Sequence, residues 1–257
     1  MASTPRALEG WYALAAALAA TGCLGFTPLT IEAPAWVKNA LSLGRSDQMH
    51  NIPLTARFST DEGGWFILDR SHKPALLRFE DDPDEVWVVS PSRGPRGDIL
   101  FKDDVEDVLL RITKLGGVTV FTARRPMGAA ATLEGKAQPI HTLPAGLSTL
   151  FQRMALASAR CTRTTHHLVA FDAPDADAHS APALASAAIT AMNGVVVASG
   201  HPQGKAAEAH LGRVVLVHGP RSGATLQRGV LTIVVSPGDG FSGLPSSARI
   251  AQVIEAP

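Results

Sequence analysis

Between Trp65 and Leu133 the chain carries seven short runs rich in Val, Ile, Leu, Phe and Trp, with starts spaced roughly ten residues apart. The runs are Trp65 to Asp69, Ala75 to Phe79, Val86 to Val89, Asp98 to Lys102, Val108 to Ile112, Val118 to Thr122 and Ala129 to Leu133. A parallel pair of strands needs a crossover of about a dozen residues, and these intervals have no room for one. Neighbouring strands must therefore pair antiparallel, which makes residues 63–136 a β-meander, either sandwiched or closed like a barrel. The turns between them carry the expected chemistry: Asp81-Asp82-Pro83-Asp84, Ser92-Arg93-Gly94-Pro95 and Gly116-Gly117.

Past Gly135 to Pro144 the apolar spacing changes from two to between three and four, so a mixed α+β region is expected over residues 137–257. Leu147 to Thr162 reads as an amphipathic helix and His167 to Phe171 as a strand. Pro182 to Met192 reads as an Ala-rich helix closed by Asn193-Gly194. Val195 to Ala198 fits either state. Arg213 to Val217 and Val230 to Ser236 read as strands across a Gly219 to Gly223 loop, and Ser246 to Ile254 as a serine-capped helix. The fold class is thus α+β, a β-meander followed by a mixed region.

The amino-terminal part sets the expected compartment. Trp11 to Phe26 is uncharged and mostly apolar, and it is shorter than the ~20 residues of a membrane span. It reads as the apolar core of a signal peptide over residues 1–35, followed by a lead-in helix at Trp36 to Ser42 and a connector, together 36–62. Ala33-Pro34-Ala35 offers a cleavage site. Alternatively, Ala20-Thr21-Gly22-Cys23 resembles a lipobox, departing from it at Ala20, and Cys23 would then carry a lipid anchor. The expected location is periplasmic or extracellular, with a membrane involved only if Cys23 is lipidated. Export would leave Cys161 as a single thiol, which falls on the helical stripe of Leu147, Leu150, Phe151 and Met154 and reads as buried and inert.

The runs Trp65-Phe66-Ile67-Leu68-Asp69-Arg70-Ser71, Ala75-Leu76-Leu77-Arg78-Phe79-Glu80, Pro95-Arg96-Gly97-Asp98, Leu115-Gly116-Gly117-Val118-Thr119-Val120-Phe121-Thr122 and Pro245-Ser246-Ser247-Ala248-Arg249-Ile250 resemble a bacterial exported family classed as domain of unknown function 4908. The resemblance runs from about Leu43 to the C-terminus. It implies a signal sequence and a β-rich front half, and it assigns no activity and no catalytic residues.

Composition narrows the chemistry. Lys+Arg and Asp+Glu are equal at 23 each and aromatics are 5% of residues, so neither an electrostatic footprint for nucleic acid nor a stacking platform is present, and no nucleic-acid partner is expected. Gly200 to Ala206 resembles a phosphate loop but has only three residues between its glycines and no Ser or Thr after Lys205; it reads as a surface loop. Arg96-Gly97-Asp98 reads as a strand entry. Arg124 and Arg125 could grip an anion or simply be solvated. The acidic run Glu80 to Glu85 reads as a solvated turn. Among the nine histidines none has zincin spacing, although His201, His210 and His218 could converge with Glu208 or Asp172. No metal and no cofactor is expected.

Gly240-Phe241-Ser242-Gly243-Leu244 lacks the last glycine of a nucleophile elbow, yet it lies in a loop between a strand and a helix. Ser242 and Asp239, with His218 or His201, are therefore the candidate catalytic residues. Two function classes follow. In the first, the chain is an exported envelope protein, a non-enzymatic module that binds a protein or small-molecule ligand. In the second, it is an extracytoplasmic hydrolase with its site in the C-terminal loops.

Overall fold

A computed structural model describes residues 51–61, 63–142 and 144–256. The signal peptide, Cys23 and the lead-in helix lie outside them.

Eight antiparallel strands close into a barrel in chain order. They are β1 (Thr55–Thr60), β2 (Trp65–Asp69), β3 (Ala75–Phe79), β4 (Trp87–Arg93), β5 (Ile99–Lys102), β6 (Val108–Ile112), β7 (Val118–Thr122) and β8 (Arg125–Lys136). The strand that closes the barrel, β1, falls inside the expected connector 36–62. Its sequence TARFST points only Ala56 and Phe58 inward, too few apolar residues to stand out from a loop. Strand β8 is longer than the expected Ala129 to Leu133, because it pairs with β7 at one end and β1 at the other.

Alternate residues of each strand fill the interior: Phe58, Phe66, Leu68, Leu77, Phe101, Leu110 and Ile112 are each at most 1% exposed. Phe58 and Phe66 stack at 5.0 Å. Side chains fill an eight-stranded barrel of this kind, so ligand space is sought outside it. On the outer face of β2 and β3, Ile67 and Leu76 pack with Ile140, and Phe241 covers them from the C-terminal region.

That region is a sheet in the order β11-β12-β10-β9, built from β9 (Ala170–Asp172), β10 (Arg213–His218), β11 (Gly223–Gln227) and β12 (Val230–Val235). Strands β9, β10 and β12 are parallel and β11 is antiparallel to β12. Strand β11 was not expected. It returns through the two-residue turn Arg228-Gly229, both at positive φ, the geometry of a type I′ hairpin.

The helices are α1 (Leu147–Thr165), α2 (Ala181–Ala198), α3 (Pro202–Glu208) and α4 (Ser247–Glu255). Helix α2 is apolar on nearly every side, as suits a helix enclosed by its neighbours. It continues through Asn193-Gly194, where its end was expected. Gly194 serves close packing instead: a Cβ there would lie 2.5 Å from Ile250 Cγ2 of α4. Helix α3 replaces the surface loop expected over Gly200 to Ala206, started by Pro202 in its first turn. Ser246 caps α4 as expected, accepting the Arg249 N–H at 3.0 Å. Cys161 is fully buried in this second core, and burial pushes its thiol up to about 12. The barrel and the α+β lobe belong to one compact unit.

Candidate functional site

The segment after β12, Pro237–Gly243, is a tight 3₁₀ turn. Three contacts shape it. Ser236 Oγ donates to Asp239 Oδ2 at 2.7 Å, the Ser236 N–H donates to the Gly243 carbonyl at 2.8 Å, and the Asp239 N–H donates to the Ser236 carbonyl at 3.1 Å. Gly243 is pressed so closely on Ser236 that a Cβ would sit 1.9 Å from its carbonyl oxygen. The turn carries Phe241 and Ser242 at the boundary between the two lobes.

Two cavities adjoin there. The first, about 260 Å³, lies between Val86 and Val88 of the barrel and Ser186 and Thr190 of α2, and Phe241, Leu244 and Ser246 complete it. The second, about 240 Å³, is lined by His72 and Lys73 from the β2–β3 turn, by Ile140, His141 and Thr142, and by Asp239 and Gly240. Pro74, Phe241 and Ser242 line both. The Ser242 hydroxyl makes no hydrogen bond among the described residues.

Asp69 holds the wall of the second cavity together. Fully buried at the end of β2, it accepts from Thr55 Oγ1 (3.1 Å), Ser71 N–H (2.9 Å), Ser71 Oγ (2.6 Å) and the Ile140 N–H (2.8 Å). Burial pushes its pKa up, but the bonds from Ser71, Ile140 and Thr55 outweigh this and hold it below the ordinary carboxylate value. One carboxylate thus joins the β2–β3 turn to the segment bearing His141. His72 Nδ1 stands 3.5 Å from Asp69 Oδ2 and 3.3 Å from Ser71 Oγ.

The first cavity is framed by contacts between the lobes. Glu85 accepts from Asn193 Nδ2 at 2.9 Å and from the Ser247 N–H at 3.1 Å. Asp82 accepts from the same Asn193 amide. Asp104 accepts from Ser246, and Asp84 pairs with Arg153 at 3.2 Å.

Of the residues singled out in the sequence, Ser242 and Asp239 share the second cavity, and His218 and His201 line neither cavity. His201 Nδ1 lies 2.6 Å from Glu255 at the C-terminal end of α4, the end opposite Ser246. Asp239 is hydrogen-bonded to Ser236, and no hydrogen bond joins Ser242 to a histidine among the described residues. His210 is exposed, and Glu208 accepts from Ser199. Arg124 pairs with Asp81, and Asp98 of the Arg-Gly-Asp run is buried against Arg111. No group of three or more His, Cys, Asp or Glu among the described residues is placed to hold a metal ion.

The model of a family described as Domain of unknown function (DUF4908) matches residues 37–254. The chain belongs to this family. No curated protein and no solved structure matches it. The site of this DUF4908 chain therefore has to be read from its own residues. Sequence reasoning missed Asp69, His72, Lys73, His141 and Glu85. Asp69 followed by Ser71 does carry the signature of a side chain bonding the backbone two residues on. Nothing local pairs His72 with His141, which are brought together by Asp69 reaching the Ile140 amide and by Ile140 packing on Ile67 and Leu76.

Proposed function

We propose that the chain is an exported envelope protein acting as a binding module, which holds a small-molecule ligand in the cleft between the barrel and the α+β lobe. One observation carries this reading: two adjoining cavities meet at Phe241 and Ser242, where an apolar ring and an unpartnered hydroxyl stand between an apolar wall and a wall of ring and amine nitrogens. A mostly apolar concavity with a few convergent polar groups is how small-molecule sites are generally built. The barrel interior, filled by its own side chains, offers no competing space of this kind. Export rests on the Trp11 to Phe26 stretch.

The test of binding uses the full chain with octanoate, octylamine and octanol, followed by the amide NMR signals of Gly240, Phe241 and Ser242. Saturable shifts with at least one probe, abolished in Ser242→Trp, are expected. No cleft response to any of the three overturns the reading. Export is tested by fractionating native cells and sequencing the N-terminus. A start at Trp36, or a lipidated Cys23, supports it, and an intact Met1 in the cytosol overturns it.

The hydrolase reading has one observation in its favour, since Ser242 shares a cavity with His72 and His141. Covalent labelling of Ser242 by a fluorophosphonate would favour that reading over binding alone.

A further inference from the structure

We infer that the ligand of this cleft is an organic anion with an apolar body, its charged head against Lys73, His72 and His141 and its body against Phe241, Val86 and Val88. The inference rests on the proposed binding role and adds the ligand's chemical class.

Charge comes first. Lys73 and His141 form no ion pair among the described residues, so their donors are available at the cavity wall. The carboxylates of the first cavity are already engaged: Asp84 with Arg153, and Asp104 with Ser246 and Arg249. A cationic head would find no unengaged carboxylate there. Among the described residues Asp239 is the one acidic residue lining the second cavity, and its Oδ2 accepts from Ser236.

The donor wall is also built in advance of any ligand. Lys73 and His72 belong to the β2–β3 turn and His141 to a segment 67 or more residues away in sequence, yet the buried Asp69 fixes both by accepting from Ser71 and from Ile140. Its carboxylate stands behind the His72 ring on the Nδ1 side, while Nε2 has no partner among the described residues. A donor set held rigidly loses little freedom when an anion arrives.

Size and polarity then select the body. Each cavity alone, at about 260 and 240 Å³, falls below the roughly 300 Å³ at which small-molecule sites usually begin, and the two together fall within that range. Because they meet at Phe241, a ligand using both must carry its charge at one end and its apolar surface at the other.

The three eight-carbon probes separate the possibilities at about pH 7. Octanoate is expected to bind saturably, with Lys73→Ala weakening it at least tenfold and His141→Ala several-fold. Asp239→Asn keeps an oxygen for Ser236 and removes the opposing charge, so it is expected to tighten octanoate about twofold to threefold. Octylamine is expected not to compete. The inference is overturned if octylamine or octanol binds the cleft as tightly as octanoate, or if Lys73→Ala leaves octanoate unaffected. In both of those cases the binding role itself survives, whereas silence from all three probes removes both.

Discussion

The carboxylate of Glu85 accepts the backbone N–H of Ser247 at 3.1 Å, so a barrel side chain satisfies the first turn of the last helix in the other lobe. Helix N-termini leave such N–H groups without partners inside the helix. Glu85 is 4% exposed and also accepts from Asn193 in α2, which makes it the point where the β3–β4 connection, α2 and α4 meet. Its neighbours in sequence, Asp84 and Val86, line the first cavity, as does Ser246 beside Ser247. Glu85 is thus one of the contacts that join the lobes, and it lies beside residues that line the cleft.

Burial pushes Glu85 up to about 7, against the pull of the Asn193 and Ser247 bonds, from an ordinary 4.5. Between these values the folded chain binds more protons at this site than the unfolded chain. Its contribution to stability is full below about pH 4.5 and is lost as pH rises to about 7. The loss is roughly 3 kcal/mol at about 1.4 kcal/mol per unit. Glu85→Gln, which cannot ionise, should remove that dependence and be the more stable protein above pH 7. Denaturation midpoints of both proteins across this range check it, and parallel pH profiles would refute it.

Gly194 lets α2 pack closely against Ile250 of α4. Gly194→Ala would place its methyl 2.5 Å from Ile250 Cγ2 and 2.6 Å from Ile250 Cβ. Overpacking of this kind costs about 1 to 3 kcal/mol. Ile250→Ala alone leaves a cavity in the core, at about 2 to 5 kcal/mol. The double variant should be more stable than the sum of the two losses implies, but only in part: Ile250→Ala removes the Cγ2 contact and leaves the Ile250 Cβ at 2.6 Å and the Ser247 carbonyl oxygen at 3.0 Å from the new methyl. A double-mutant cycle by chemical denaturation measures this coupling, and simple additivity would contradict it.

Cys161 is fully buried among the side chains of the α+β core, and its thiol is pushed up to about 12, first by burial and then by the nearby Glu208 charge. The thiolate is the reactive form of cysteine. In a Cys23→Ser variant, labelling by iodoacetamide at mildly alkaline pH should be slower by orders of magnitude in the folded chain than in guanidinium chloride. Comparable rates in the two conditions would show that this core opens readily.

The strands that could be read from sequence are those whose apolar residues alternate over several positions, as in Trp65 to Asp69. The spacing between them required antiparallel pairing, and the observed register agrees. Strand β1 was hidden because only Ala56 and Phe58 face inward. Helix α2 was shortened because Asn193-Gly194 reads locally as a helix end, whereas the glycine answers to Ile250, 56 positions later. The same limit governs the cleft. Ser242 and Asp239 stood out through a local glycine pattern, but the opposite wall depends on Asp69 reaching the Ile140 amide across 71 residues. Contacts set by tertiary structure leave no periodicity in the chain.

Asp69→Asn tests that wall directly. The ionised carboxylate receives the Thr55 and Ser71 hydroxyls and the Ser71 N–H on Oδ1 and the Ile140 N–H on Oδ2, whereas an amide with its oxygen in the Oδ1 place turns its NH2 toward the Ile140 N–H. A hydrogen bond to a charged group contributes about 1.5 to 3 kcal/mol, so the loss of the Ile140 bond alone should cost about that much. Because the folded pKa of Asp69 lies below its ordinary value of 3.8, the stabilisation is present above about pH 4 and is lost as pH falls through the folded pKa. The variant should therefore be less stable than the parent near neutrality and approach it in acid, opposite in direction to Glu85→Gln. The Ile140 amide should exchange its hydrogen faster, and the ring signals of His72 and His141 should move together as their shared anchor is released. If Asp69→Asn lowers stability while leaving the His141 signals in place, Asp69 supports the barrel alone and the wall of the second cavity has another source.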